Sequence, residues 1–472
     1  MTAADLGIVG LGVMGANLAL NFADHGYRVA VWNRTSERTR EFLAGPAAGT
    51  TIVGTDTLPE LVGVLRTPRV VLLMVPAGRP VDAQLDALTP LLDPGDVIID
   101  GGNSHHRDTA RRCDRLAEAG LRFVGMGVSG GADGARHGPS LMPGGHPEAW
   151  PLVETMLEDV AAKADDGTPC CEWLGPGGVG HYVKMVHNGI EYGDMQVIAE
   201  AYDLLRRGVG MTVDEARAVF GRWRTGKLAS FLVDLTVTVL GVTDDDGTPL
   251  VDRILDVAEQ KGTGRWTVVA SMEEAEPVSL IAEAVYARFV SARREDRLVA
   301  AERLAGPEGS TVPASVVDDL HDALHAARIV SYAQGFMLLA SASDAYGWDL
   351  DLATVASLWR AGCIIRSRLL GDIMAAFADD PELPSLVLDP GVADELRRAG
   401  PGWRRVVAAA VAAGIPVPAM ASALGFYDAY RSARLPANLI QAQRDAFGAH
   451  TYERIDRPRG EAFHTDWLAD AP

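Results

Sequence analysis

The densest run of chemically capable side chains is Lys184-Met185-Val186-His187-Asn188-Gly189-Ile190-Glu191-Tyr192. Read as a helix, it puts Lys184, His187, Asn188 and Glu191 on one face with Tyr192 at its edge, while Val183, Val186 and Ile190 fall on another. A base, an acid and two hydrogen-bonding groups then converge, as proton transfer on a small polar molecule requires. Lys and Glu at this spacing are also common on surface helices that simply face water, so the face alone leaves both readings open.

Other segments carry chemistry of their own. Gly10-Leu11-Gly12-Val13-Met14-Gly15 is a GxGxxG between an apolar run and a helical segment. In that setting the glycines let a pyrophosphate approach a helix N-terminus, where unpaired N–H groups and the dipole favour negative charge; outside it they are only a tight turn. Past the second apolar run the chain reads Asn33-Arg34-Thr35, where an Asp or Glu usually takes the ribose hydroxyls of NAD. A carboxylate would repel a 2'-phosphate and a guanidinium would hold one, so NADP is expected, unless Arg34 is a solvated loop charge. Asp100-Gly101-Gly102-Asn103-Ser104 should lie at the carboxyl edge of a sheet, where a nicotinamide would rest. Gly127-Val128-Ser129-Gly130-Gly131-Ala132 can present a hydroxyl and backbone N–H groups to a carboxylate, or be a plain turn. Gln260-Lys261-Gly262-Thr263-Gly264-Arg265-Trp266 suits a phosphate but lacks the residue order of a nucleotide-hydrolysing loop. Asp244-Asp245-Asp246 reads as an exposed turn, and Cys170-Cys171 and the histidines have no zinc spacing, so no metal is expected.

These segments need elements to hold them. From Leu6 to Val124, apolar runs (Gly7–Val9, Val29–Trp32, Val70–Val75, Val97–Ile99, Phe123-Val124) alternate with helix-like stretches, which is the rhythm of βαβ units in a parallel, doubly wound, Rossmann-like sheet. After Gly175-Pro176-Gly177-Gly178 strand patterns nearly vanish, and Ala/Leu/Val segments of helical period run to about residue 430. The uncharged stretch Val406 to Tyr427 is interrupted by Gly414, Pro416 and Pro418, and reads as two buried helices joined by a turn rather than a membrane span. The expected organisation is a dinucleotide-binding α/β domain over 1–178, a large all-α domain over 179–434, and a tail over 435–472. Gly, Pro and many charges make that tail, by itself, read as a disordered terminus.

With 63 acidic and 43 basic residues the formal charge is -20, which opposes binding to nucleic acid or to an anionic membrane. An anionic substrate would need a local cluster of Lys and Arg. Four cysteines are too few for a disulfide framework, and the opening residues lack a signal-peptide layout, so a cytoplasmic protein is expected.

Taken in order and spacing, Gly10 to Asn33, Val97 to Ser104, GVSGGADGARHGPSLMPGG from Gly127, HYVKMVHNGIEYGDMQ from His181, QKGTGRW from Gln260, GCIIRSR from Gly362 and NLIQAQRDAFGAHTYE from Asn438 resemble the long-chain 6-phosphogluconate dehydrogenases over nearly the whole chain. That resemblance implies oxidative decarboxylation of 6-phosphogluconate to ribulose 5-phosphate with NADP, a step of the oxidative pentose phosphate pathway. It implies Lys184 as general base and Glu191 as general acid. Asn103, Ser129, Gly130, Gly131, His187 and Asn188 match positions near the substrate carboxylate and hydroxyls. Tyr192, Lys261, Thr263 and Arg288 match its phosphate site, joined by Arg444 and His450 from the tail of the other subunit of a homodimer. The cofactor would meet Gly10 to Gly15, Asn33 to Thr35, Val75, Pro76, Ala77 and Asn103. The resemblance has departures, with Pro76 standing where the family often has Lys, and Ala132 and Asp133 where acidic residues are common. The implied chemistry requires neutral Lys184, its pKa lowered by burial and by cations such as Lys261 and Arg288. The rivals are another β-hydroxyacid dehydrogenase, of the 3-hydroxyisobutyrate type, which would not need the Lys261, Arg288 and Arg444 cluster, and a silent NADPH-binding protein, in which Lys184 or Glu191 should have been lost.

Overall fold

Apolar, β-branched runs become strands where both faces of a sheet can be covered, and the N-terminal part of this chain uses that solution. The computed structural model describes residues 3–307 and 312–467, so the last residues of the expected tail, 468–472, lie outside the described part. Strands β1 (Leu6–Val9), β2 (Val29–Trp32), β3 (Val53–Gly54), β4 (Val70–Leu73), β5 (Val97–Asp100), β6 (Arg122–Ser129) and β7 (Ser140–Gly145) form one sheet in the order β3-β2-β1-β4-β5-β6-β7. Helices α1 (Val13–Asp24), α2 (Ser36–Ala44), α3 (Leu58–Gly63), α4 (Arg79–Leu88), α5 (His106–Glu118), α6 (Gly131–His137) and α7 (Trp150–Val160) accompany it. Alternate strand residues feed two cores, with Ile8, Val31, Leu72 and Ile99 in one and Val9, Ala30, Leu73 and Ile98 in the other.

Sequence periodicity misses two strands and one direction. β1 to β6 are parallel, but β7 runs antiparallel to β6, with Ser140 opposite Ser129. β3 is only two residues long. β7 contains Pro143, Gly144 and Gly145, a composition that argues against a strand except at a sheet edge, which is where it lies.

Helix α8 (Val179–Asp203) opens the helical part immediately after the Gly-rich stretch. It is followed by α9 (Val213–Trp223), α10 (Phe231–Val239), α11 (Thr263–Glu273), α12 (Ser279–Ala292), α13 (Arg294–Arg303), α14 (Val316–Tyr346), α15 (Leu352–Leu358), α16 (Leu369–Asp379), α17 (Pro390–Ala412) and α18 (Pro418–Tyr430). The expected Pro-containing turn separates α17 from α18. Glu200 of α8 satisfies the buried start of α18, its carboxylate accepting from the otherwise unpaired amides of Ala419 and Met420 at 2.9 Å each. Among the described residues no helix is long and apolar enough to cross a membrane.

What joins sheet and helices is an unusually close approach. A methyl group on Gly180 of α8 would lie 2.3 Å from the carbonyl oxygen of Met142 in β7 and 2.4 Å from that of Gly125 in β6. One on Gly127 of β6 would lie 2.4 Å from Lys184 Cβ. Backbone therefore rests on backbone, and neither strand can give way without breaking the ladder.

The chain divides into two compact units, Met1–Ala423 and Leu424–Pro472. The second is not the disordered terminus its composition suggests. Helix α19 (Ala437–Gly448) carries Asp445, whose buried carboxylate accepts from the Thr451 amide (2.9 Å), His464 Nδ1 (2.9 Å), the Thr465 amide (3.0 Å) and Trp467 Nε1 (2.7 Å). Tyr452 and Phe463 pair through reciprocal backbone bonds of 2.9 and 2.8 Å. Against the upward push of burial, the bonds from His464, Trp467 and the two amides hold Asp445 below the usual carboxylate range. One carboxylate thus supplies the organisation that apolar residues would give a larger unit.

The close approach makes a direct prediction. Gly180→Ala should destabilise the protein by about 1–3 kcal/mol through overpacking, whereas Gly221→Ala, in α9 with nothing within 4 Å of the added carbon, should be neutral or slightly stabilising. Chemical denaturation midpoints of both variants would check this; equal midpoints would contradict it.

Candidate active site

Because α8 lies across the sheet edge, its polar face is buried rather than solvated. Lys184 is 6% exposed, His187 0% and Asn188 8%, which removes the water-facing reading of this helix. His187 is the centre of the cluster. Its Nε2 lies 3.1 Å from Ser129 Oγ at the end of β6, and its Nδ1 lies 3.3 Å from Lys184 Nζ and 3.1 Å from Asn188 Oδ1. Glu191 Oε2 stands 3.8 Å from the same Nδ1. Trp359 closes the other side of the imidazole, edge to face with ring centres 5.5 Å apart.

Burial moves each titrating group toward its neutral form. It brings Lys184 down to about 8, against the opposing pull of the Glu191 carboxylate and the Cys363 thiol. Cations such as Lys261 and Arg288, which sequence alone places as helpers, are not what lowers it; the neighbouring groups raise it, and desolvation alone does the lowering. Burial likewise raises Glu191, opposed by Lys184 and Arg288. His187 is pushed well below the ordinary histidine range by burial and by the Lys184 charge.

The Ser129-Gly130-Gly131 turn is built by left-handed backbone at both glycines and by a loop that sequence periodicity did not single out. The carbonyl of Gly362 accepts from the Ser140 amide at 3.0 Å and sits where any side chain on Gly130 would go. Cys363, next in line, is a buried thiol that burial pushes up to about 12.

A second cluster flanks the helix. Gly189 and Gly264 let α11 press on α8, where Gly264 meets the Tyr192 ring and Thr267 Oγ1 donates to the Met185 carbonyl at 2.8 Å. This contact brings the start of α11, with buried Thr263, beside Tyr192; Lys261 precedes it and is exposed. The Arg288 guanidinium lies 3.5 Å above the Tyr192 ring and donates to the Glu259 carbonyl at 2.9 Å. Arg444 and His450 belong to the C-terminal unit. There Arg444 donates to Gln441 Oε1 at 3.0 Å, and the His450 ring lies edge to face with Phe447, centres 5.8 Å apart.

A cleft of about 700 Å³ opens at the carboxyl ends of β1, β2 and β4, lined by Gly10, Gly12, Asn33, Arg34, Thr35, Val75 and Pro76. Gly10, at φ 101°, packs so tightly that a side chain would strike the Met74 carbonyl. Gly12 is the N-cap of α1 and makes no side-chain cap, so the first-turn amides around Val13, Met14 and Gly15 are available to a ligand. Asn33 serves the loop itself, its Oδ1 accepting from the Leu11 amide at 3.0 Å and its Nδ2 donating to the Thr35 carbonyl at 3.1 Å. Arg38 and Arg79 also line the cleft and were not anticipated. Arg38 stands four residues beyond Arg34 at the start of α2, a spacing that could have flagged it. Asn103 is exposed just past the end of β5. A slightly larger cavity, about 770 Å³, runs along the C-terminal half of α8 between Tyr286, Val290 and Ile415; none of the candidate residues lines it.

A nucleotide-type cleft at the carboxyl ends of parallel strands, together with a buried lysine and a carboxyl on α8, is the equipment of a nicotinamide-dependent oxidoreductase. Family models for the NAD binding domain of 6-phosphogluconate dehydrogenase and for the 6-phosphogluconate dehydrogenase C-terminal domain match residues 5–175 and 180–467. The decarboxylating 6-phosphogluconate dehydrogenase of Schizosaccharomyces pombe is 54% identical over 472 residues, covering 98% of this chain and 96% of that protein. The human enzyme of the same name is 50% identical over 470 residues, covering 99% and 97%. The solved Plasmodium falciparum 6-phosphogluconate dehydrogenase, described in its apo form and in complex with NADP+ and with 6-phosphogluconate, superposes with a TM-score of 0.94 at 39% identity, over 98% of this chain and 100% of that one. The chain belongs to the decarboxylating 6-phosphogluconate dehydrogenase family.

The electrostatics of His187 can be checked without substrate. Its imidazole should stay neutral at about pH 6, where an ordinary exposed histidine of pKa about 6.5 is mostly charged. Nitrogen-15 NMR of histidine-labelled protein, assigned with His187→Asn, distinguishes neutral from charged rings; a charged pattern at that pH would contradict the burial argument.

Proposed function

We propose that this chain oxidises 6-phosphogluconate at C3 with NADP+ and releases C1 as carbon dioxide, leaving ribulose 5-phosphate. The observation that carries the reading is a buried lysine, its pKa brought to about 8, on the same helix face as a carboxyl whose pKa is raised. A lysine that can be neutral near physiological pH is a usable base, and a carboxyl that burial shifts toward its protonated form is better placed to act as an acid.

The cleft beside β1 and β2 suits the cofactor. Its glycine-floored loop and free helix-start amides fit a pyrophosphate, and Arg34, Arg38 and Arg79 gather positive charge where a 2'-phosphate would lie. Bound there, NADP+ would accept the electron pair leaving C3 with its hydrogen. Neutral Lys184 takes the C3 hydroxyl proton, so that C3 becomes a ketone β to the carboxylate. The C1–C2 bond then breaks, its electrons move into an enediolate, and the Lys184 ammonium hydrogen-bonds the oxygen that gathers the charge. Glu191 delivers its proton to the carbon that lost carbon dioxide. Ser129, the amides of Gly130 and Gly131, His187, Asn188 and Asn103 are assigned to the carboxylate and hydroxyls. Tyr192, Lys261, Thr263 and Arg288 are assigned to the phosphate. Four buried, unpaired thiols suit a cytoplasmic, reducing setting.

The direct test is formation of NADPH and carbon dioxide with 6-phosphogluconate, set beside gluconate, 3-hydroxyisobutyrate and NAD. Turnover with 6-phosphogluconate and NADP is expected, with Arg34→Ala raising the KM for NADP about tenfold through loss of a charge-assisted bond. The base must be unprotonated, so kcat/KM should climb as pH rises through about 8. Glu191→Gln, which removes the charge that holds Lys184 up, should move that limb to lower pH while reducing kcat. A limb that stays in place would contradict the pairing.

The active form is proposed to be a homodimer in which Arg444 and His450 complete a partner subunit's phosphate site. Exposed apolar residues on the C-terminal unit, Leu439, Ile440, Phe447 and Ile455, favour cover by another chain. Mixing inactive Lys184→Ala chains with inactive His450→Ala chains should then restore activity, because one site of each heterodimer carries neither lesion. Heterodimers confirmed by mass spectrometry that remain inactive would refute the shared site.

A further inference from the structure

Arg112 is a charged side chain with no exposed surface and no place in the mechanism above. A guanidinium taken wholly out of water is costly unless its donors are met, and here three nitrogens find four oxygens. From α5, Nε donates to Asp82 Oδ1 at 2.9 Å and one terminal nitrogen to the Gly78 carbonyl at 3.1 Å. The other lies 3.2 Å from Ser104 Oγ and 3.4 Å from Asp100 Oδ2. The first pair belongs to the turn entering α4, directly after Val75-Pro76-Ala77. The second pair belongs to the loop that leaves β5 and carries Asn103.

The two loops also touch each other. A side chain on Gly102 would meet the Val75 carbonyl at 2.9 Å, and one on Gly101 would meet Met74 Sδ at 2.6 Å. Asp100 fixes the second loop from within, accepting from the Gly102 amide at 3.0 Å and from Ser104 Oγ at 2.6 Å. Arg112 sits behind both loops and bonds to each, so neither can shift without costing it a partner.

We propose that Arg112 is a positioning residue that holds the loops after β4 and β5 in one register, and thereby sets how the nicotinamide end of the cofactor meets the substrate carbon; this rests on the functional reading above. The planar fork matters. A lysine gathers its three donors on one nitrogen and cannot place them where the three guanidinium nitrogens of Arg112 meet Asp82, Gly78 and the Asp100–Ser104 pair, so exchange of the two is not conservative here.

The test uses full-length Arg112→Met, Arg112→Lys and Asp82→Ala, the last of which removes one acceptor and leaves the Asp100 side intact. NADPH affinity is titrated by fluorescence without substrate, 6-phosphogluconate affinity without cofactor, and the deuterium isotope effect with substrate deuterated at C3. Misplaced loops should weaken NADPH binding about tenfold while leaving 6-phosphogluconate affinity within about twofold, and should enlarge the isotope effect as hydrogen transfer becomes rate-limiting. Thermal midpoints are recorded alongside. A folded variant with a lowered midpoint but unchanged NADPH affinity and isotope effect would overturn the proposal and leave Arg112 as a stabilising ion pair. If Arg112→Met does not fold, the lysine and Asp82 variants decide by the same two readings. Should the wild-type protein not oxidise 6-phosphogluconate, the functional reading fails, and the NADPH titration still judges Arg112.

Discussion

Everything at the site depends on how closely one helix can lie on two strands. The absence of a side chain at Gly180 and Gly127 lets α8 rest on the backbone of β6 and β7, with the Cβ of Lys184 directly over the strand. Ser129 ends that same strand, so the 3.1 Å contact between its hydroxyl and His187 follows from strand register and helix pitch rather than from any flexible loop. The antiparallel β7 has a purpose in this light. It widens the sheet edge into a floor for a 25-residue helix, which a purely parallel sheet ending at β6 would not provide.

The same seat determines the electrostatics. Removing water from the polar face of α8 disfavours every charge on it, and the groups respond according to their chemistry: the ammonium leans toward amine, the carboxylate toward acid, and the imidazole stays neutral. Mutual attraction between Lys184 and Glu191 works the other way and keeps both shifts moderate. In a chain of formal charge -20, an anionic ligand needs local positive charge, and Arg288, fixed over the Tyr192 ring, supplies some of it. An anionic ligand is thereby directed to a few sites instead of being attracted broadly.

Much of this was legible in the sequence, for reasons that can be named. The GxGxxG turn and the helix face of Lys184 to Tyr192 are local patterns, and local geometry carries them unchanged into the fold. β7 was not legible because Pro143 and two glycines conceal a strand that only a sheet edge tolerates. Burial of the α8 face was equally hidden, since it depends on Gly180 meeting β6 and β7, and on Gly127 in β6, strands distant in sequence from the helix face they cover. The C-terminal unit was misread from composition: its order comes from four hydrogen bonds to the single carboxylate of Asp445, an arrangement with no hydrophobic period to detect. Arg38 and Arg79 were missed because a cleft gathers side chains from separate turns.

Lys184 and Glu191 occupy one uninterrupted helix, seven positions apart. At about 1.5 Å rise per residue their backbones are held roughly 10 Å apart along a rigid rod. Surface loops can lengthen, shorten or change composition without altering that interval, because no loop lies between the two groups. The helix is in effect a ruler. A lineage carrying it is free to vary around the site, but a single inserted or deleted residue between positions 184 and 191 would rotate one group by about 100° away from the other, so variation there is confined to substitution.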